Sequence, residues 1–141
     1  MNRRKLITLL TLGAAAAPAL AQQKKPAAKQ RVVFQVSDND PARWQLALNN
    51  ARNVQTDLGK DKVQIEIVAY GPGIEMLKAE SKVAGGLAGA LDASVGLIAC
   101  ENTMQNTKVT RDDMYAGISY VQAGVTHLMK RQAEGWAYIR P

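Results

Sequence analysis

From residue 31 onward, short apolar runs alternate with longer segments of helical spacing. Arg31-Val32-Val33-Phe34-Gln35-Val36 closes on Ser37-Asp38-Asn39-Asp40 and predicts a first strand, buried on both faces. Asp40 is then a cap and Pro41 fits the first turn of a helix. Trp44, Ala47, Leu48, Ala51, Val54 and Leu58 recur at helical spacing, and Gly59 suits the stop. Lys62 to Tyr70 first alternates and then turns apolar, a second strand that Tyr70-Gly71-Pro72-Gly73 breaks. Ile74 to Leu91 has a helical composition but carries Gly85, Gly86 and Gly89. Each costs about 1 kcal/mol against alanine, so this helix is expected to be split or closely packed. Val95 to Cys100 is a third strand and Glu101 to Lys108 a short helix. Thr110 to Asp113 resembles a capping box. Ile118 to Val121 is a short fourth strand. Ala123 to Glu134 is a closing helix with Val125, Leu128, Met129 and Gln132 along one side, and Trp136 to Ile139 is a last strand at an edge.

This alternation predicts an α/β fold: a three-layer sandwich on a mostly parallel sheet of about five strands. Right-handed crossovers gather the C-terminal ends of parallel strands on one edge. Three loops are expected to meet there: Ser37–Asp40, Tyr70–Gly73 and Cys100–Thr103.

The first thirty residues follow another pattern. Asn2-Arg3-Arg4-Lys5 is basic, Leu6 to Ala17 is apolar, and Ala19-Leu20-Ala21 is a small-x-small cleavage site. Residues 1–21 therefore read as a signal peptide, which places the mature protein in the periplasm or outside the cell. Arg3-Arg4 also fits a twin-arginine signal. Residues 22–30 are polar, basic and proline-containing, a flexible lead-in to a single domain over 31–141. No later apolar stretch is long enough to span a bilayer after signal cleavage.

The net charge of +6 would favour nucleic acid, but its placement argues against that. Arg3, Arg4, Lys5, Lys24, Lys25 and Lys29 account for the whole excess of 18 Lys and Arg over 12 Asp and Glu. Residues 31–141 are formally neutral, and no nucleic-acid partner is expected.

Cys100, the only cysteine, stands where a buried strand hands over to a helix. A thiol at a helix start feels the positive end of the dipole, which favours thiolate, whereas the adjacent Glu101 opposes it. A small buried hydrophobe is the other reading of the same residue. Asn102 and Thr103 follow it and could supply N–H groups. Tyr70, Gly71 and Gly73 could present N–H groups to an anion or simply form a tight turn. Asp38 and Asp40 offer carboxylates or serve as turn and cap. His127, the only histidine, has no adjacent nucleophile motif. Met76, Met104, Met114 and Met129 read as core filler. With no His or Cys cluster, neither metal nor cofactor is expected.

Val32-Val33-Phe34-Gln35-Val36-Ser37, Ala47-Leu48-Asn49-Asn50, Ile67-Val68-Ala69-Tyr70-Gly71-Pro72-Gly73 and Ala99-Cys100-Glu101-Asn102-Thr103-Met104 together resemble the DsrE/DsrF-like family, across nearly all of residues 31–141. The resemblance is to an exported branch. It implies a YchN-like fold of about five strands and homo-oligomers, often trimers or hexamers. In cytoplasmic sulfur-relay members a cysteine after the equivalent strand carries persulfide sulfur, and Cys100 matches it by position. Glu101 departs from the small and basic surroundings of those carriers. The resemblance thus implies persulfide carriage or other thiol-dependent sulfur handling by Cys100, with a donor or acceptor protein as partner. The alternative is a non-enzymatic small-ligand-binding or structural oligomeric module. In it, Tyr70, Gly71, Gly73 and Asn49 line a pocket and Cys100 is merely buried.

Overall fold

Apolar runs of five to seven residues pair most completely when both of their faces are covered. In the computed structural model, which describes residues 13–19, 21 and 28–141, three such runs form the middle of one wholly parallel five-stranded sheet of order β4-β3-β2-β1-β5, whose two edge strands are short and more exposed. The strands are β1 (Gln30–Val36), β2 (Val63–Ala69), β3 (Gly96–Cys100), β4 (Ser119–Val121) and β5 (Ala137–Ile139). The helices are α1 (Pro41–Leu58), α2 (Ala84–Asp92), α3 (Glu101–Asn106) and α4 (Gly124–Ala133). Most of the expected signal and lead-in lies outside the described residues. Among those described, no helix is long and apolar enough to cross a membrane.

The connections decide which helix covers which face. From β1 to β4 the chain steps along the sheet in one direction, so right-handed crossovers keep α1, α2 and α3 on one side. The step from β4 back to β5 runs the other way and puts α4 on the opposite side. The side chains agree. Val32, Phe34, Ile65, Ile67, Leu97 and Ala99 join Trp44, Ala47 and Leu48 in the larger core. Val33, Val68 and Ile98 point the other way and meet Leu128 and Trp136. The result is the expected three-layer sandwich.

The long glycine-bearing segment is split. A 3-10 turn covers Gly71–Leu77, and α2 begins only at Ala84. Between them the backbone is committed elsewhere. The Ala79 N–H donates to the Asp113 carbonyl at 2.9 Å, and the Tyr115 N–H donates to Leu77 at 2.8 Å. Gly86 packs against Leu48 so closely that a Cβ there would lie 2.7 Å from Leu48 Cδ1. The closing helix also differs from its expected pattern. Leu128 is buried, whereas Val125 and Met129 are exposed; Leu58, expected on the buried stripe of α1, is exposed as well.

The α4 side carries a charge in its core. Glu66, on β2, is 7% exposed. Its carboxylate accepts from Arg131 Nη2 at 2.6 Å and Nε at 3.0 Å, and lies 2.7 Å from His127 Nε2. His127 and Arg131 are one turn apart on α4, so both reach the same carboxylate. Burial alone would raise the Glu66 carboxyl. The hydrogen bonds and charges of Arg131 and His127 outweigh it and hold the group below its ordinary 4.5. A group lowered on folding stabilises the fold above its unfolded value and loses that contribution as pH falls through the folded one. Glu66→Gln should therefore cost about 3 kcal/mol at neutral pH, because Arg131 loses its buried partner. In denaturant unfolding, the gap between native protein and variant should close in acid below 4.5.

Candidate functional site

A crevice opens in a parallel α/β sheet where neighbouring strands send their following helices to opposite faces. Here β3 leads to α3 on one face and β4 leads to α4 on the other. Cys100 ends β3 at that point and is paired with Val121 on β4. Two residues beyond Ile98, its side chain projects to the α4 side of the sheet. The thiol is 5% exposed.

Two strand-to-helix turns enclose it. Cys100 is the N-cap of α3. Across from it, Gln122-Ala123-Gly124 leads from β4 into α4. The Cys100 thiol donates to the Gln122 carbonyl at 3.8 Å, and the Asn102 N–H donates to the same carbonyl at 3.0 Å. The Asn102 and Gln122 side chains are hydrogen-bonded to each other, which ties the turns together. Gly124 allows the approach. A Cβ there would lie 3.1 Å from Tyr70 Cβ and 3.3 Å from Cys100 Cβ.

This packing sets the electrostatics of the sulfur. Burial pushes the thiol up. The Thr103 hydroxyl and the N–H groups of Gly124, Thr103 and Asn102 outweigh burial and bring it below its ordinary value. The starts of two helices thus surround one polarizable atom, although Cys100 makes no side-chain cap bond to α3 and the Asn102 N–H is already given to Gln122. Such a cradle stabilises a thiolate, or any terminal sulfur anion held in its place.

The expected site residues divide. Cys100, Asn102, Thr103 and Tyr70 come together. Gly71 joins them through Thr103, whose hydroxyl oxygen accepts from the Gly71 N–H at 2.9 Å. Gly73 is buried and serves packing. Its N–H donates to the Tyr70 carbonyl, and a Cβ would fall 2.3 Å from the Val36 carbonyl oxygen. Asp38 lies at the end of β1, where its carboxylate pairs with Arg43 at 3.6 Å and Arg140 at 3.8 Å. Asp40 caps α1 through the Ala42 N–H. Asn49 is exposed on α1 and accepts from Gln45 and Arg52, outside the cradle. Met76, Met104 and Met114 are core residues, whereas Met129 is on the surface.

Gln122 and Gly124 were absent from the sequence-based site. The signal was present, since Val121-Gln122-Ala123-Gly124 is another strand-to-helix turn at the same sheet edge. What the sequence could not supply was the placement of β4 beside β3. Among the described residues, no cluster of His, Cys, Asp and Glu could hold a metal ion.

Comparison with solved structures gives two informative likenesses. A protein of unknown function from Methanobacterium thermoautotrophicum, MTH1491, is 39% identical, with a TM-score of 0.76 over 80% of this chain and 100% of its own. A conserved protein of unknown function from Bacteroides thetaiotaomicron, BT1422, shares the fold at 14% identity, with a TM-score of 0.60 over 79% of this chain and 95% of its own. No protein-family model and no curated protein matches the chain.

Thr103 makes a separable test of the cradle. Thr103→Val keeps the shape but removes the oxygen that accepts from Gly71 and the hydroxyl that faces the sulfur. It should cost about 1–2 kcal/mol for the unpaired N–H. The midpoint for thiolate formation, followed by ultraviolet absorbance against Cys100→Ser, should rise. Thr103→Ser should preserve both properties.

Proposed function

This chain belongs to the same family as MTH1491, whose function is unknown, so its activity must be read from the site, and we propose that it handles sulfur through Cys100. The observation that carries the reading is the donor cradle. The starts of α3 and α4 close around one thiol in the crevice of a parallel sheet, with Gly124 packed against it, and their polar groups lower it. The sequence resemblance to DsrE/DsrF-like sulfur carriers supports the same chemistry.

The Cys100 thiolate attacks the outer sulfur of a persulfide or polysulfide, R–S–SH. The donor S–S bond breaks, R–S⁻ leaves with its electron pair, and Cys100 becomes a persulfide that keeps the proton. An acceptor thiolate then attacks the outer sulfur, and the Cys100 thiolate is the leaving group. Neither step needs an oxidant. Asn102 and Thr103 hold the helix start in place, and the cradle stabilises the anion in both resting and released forms.

The setting we propose is the periplasm or the extracellular space, reached through the signal peptide. The chain would act there as a homo-oligomer, a trimer or hexamer, exchanging sulfur with a donor or acceptor protein. The exposed edge strand β5, with Tyr138 and Ile139, together with Val125 and Met129, supplies apolar surface for self-association.

A second reading has one observation in its favour. At 5% exposure, Cys100 also fits a small-ligand-binding or structural oligomeric module in which the cysteine is only core. Intact mass separates the two. Protein recovered from its own exported fraction should begin at Gln22, and exposure to polysulfide should add sulfur that Cys100→Ser abolishes. If no sulfur is gained, and Cys100 is alkylated only after unfolding, the second reading replaces the first.

A further inference from the structure

Glu101 follows the thiol directly and would oppose a thiolate if its charge stood alone. It does not stand alone. Arg111 Nη2 lies 2.7 Å from Glu101 Oε1. The guanidinium is also stacked on Tyr120 of β4, its Cζ 4.2 Å from the ring centroid. The Arg111 side chain is 65% exposed and that of Glu101 30%. An ion pair this open adds little to stability. Its geometry nevertheless uses a third residue. The Tyr120 face fixes a long cation that would otherwise sample many rotamers, and the fixed guanidinium aims at the carboxylate beside Cys100.

We propose that Arg111 is a positioning residue for Cys100. By pairing with Glu101 against the face of Tyr120, it cancels the negative charge that the chain places beside the sulfur.

This inference rests on the sulfur-handling reading of Cys100 and adds how the site tolerates its acidic neighbour. The other groups packed around the sulfur do not do this work. Tyr70, at the end of β2, packs against the start of α4. On α4, Gly124 offers only backbone, and His127 is engaged with Glu66. From β4 and the turn before it come Tyr120 and Arg111 themselves. The arrangement also explains how a sequence can depart from basic surroundings at the cysteine without losing the chemistry. The basic residue comes from ten positions downstream.

Thiolate absorbance of the full-length protein, titrated against pH with Cys100→Ser as reference, reads this directly. It needs no reagent to reach the thiol. Arg111→Gln should raise the midpoint by about half a pH unit, the order of effect of one unmasked neighbouring charge in a wet site. Arg111→Gln combined with Glu101→Gln should return it to the native midpoint or below. Arg111→Lys, which keeps the charge, should rescue most of the shift. A midpoint unchanged in folded Arg111→Gln overturns the role of Arg111 and leaves the thiol site standing. A native midpoint at or above the free-cysteine value of about 8.5 overturns both. If Arg111→Gln raises the midpoint and Glu101→Gln does not reverse it, the guanidinium acts on something other than Glu101, and the proposal fails.

Discussion

A carboxylate in the middle of a parallel sheet is costly unless its partners are built in, and Glu66 governs how this fold closes. The α4 side of the sheet is covered, among the described residues, by one helix of 10 residues. That helix buries only Gly124 and Leu128. A helix this short does not persist alone in water. Arg131 and His127 tie it to the sheet by binding Glu66, and the Trp136 ring lies 4.6 Å from the Arg131 guanidinium. The larger core on the other side needs no such device, because α1 buries Trp44, Ala47, Leu48 and Ala51.

The anchor matters at its far end. Gly124 opens α4, and its N–H faces Cys100. His127 and Arg131, which bind Glu66, lie one and two turns further along the same helix. One helix thus runs from the turn beside the thiol at the sheet edge to a buried ion cluster in the sheet interior. The edge itself is set by topology. The reversal after β4 sends α3 and α4 to opposite faces, and Cys100 sits where they part. Fold and site have one origin in this respect, since the connection that makes the sheet two-sided also brings a second helix start to the cysteine.

Much of the architecture was legible because strand and helix periods differ so clearly. Val32 to Val36, Ile65 to Ala69 and Leu97 to Ala99 are too apolar for a half-solvated sheet, and Trp44, Ala47, Leu48 and Ala51 mark one helix face. The expected helix over Ile74 to Leu91 misled for a nonlocal reason. The Leu77 carbonyl accepts from the Tyr115 N–H and the Ala79 N–H donates to the Asp113 carbonyl, and helix propensity cannot foresee a partner from another turn. Met129 was placed inside by its type; the single layer of α4 leaves it outside. At the site, Cys100, Asn102 and Thr103 were visible from their place after a buried strand. Gln122 and Gly124 were not, because the order of strands is not written in local pattern. Glu66 left a trace, an acid amid the apolar run Ile65 to Ala69, but its partners lie in the last helix and only the crossover brings them near.

If the Glu66 cluster positions α4, the first turn of that helix stabilises the Cys100 thiolate only while the cluster is intact. The thiolate midpoint of folded Glu66→Gln, measured by ultraviolet absorbance against the native protein, tests it most directly. Removing a distant negative charge, by itself, would lower the midpoint. Loosening α4 moves the Gly124 end of the helix away from the sulfur, and the midpoint should rise. A midpoint that falls or stays the same in the folded variant would contradict it.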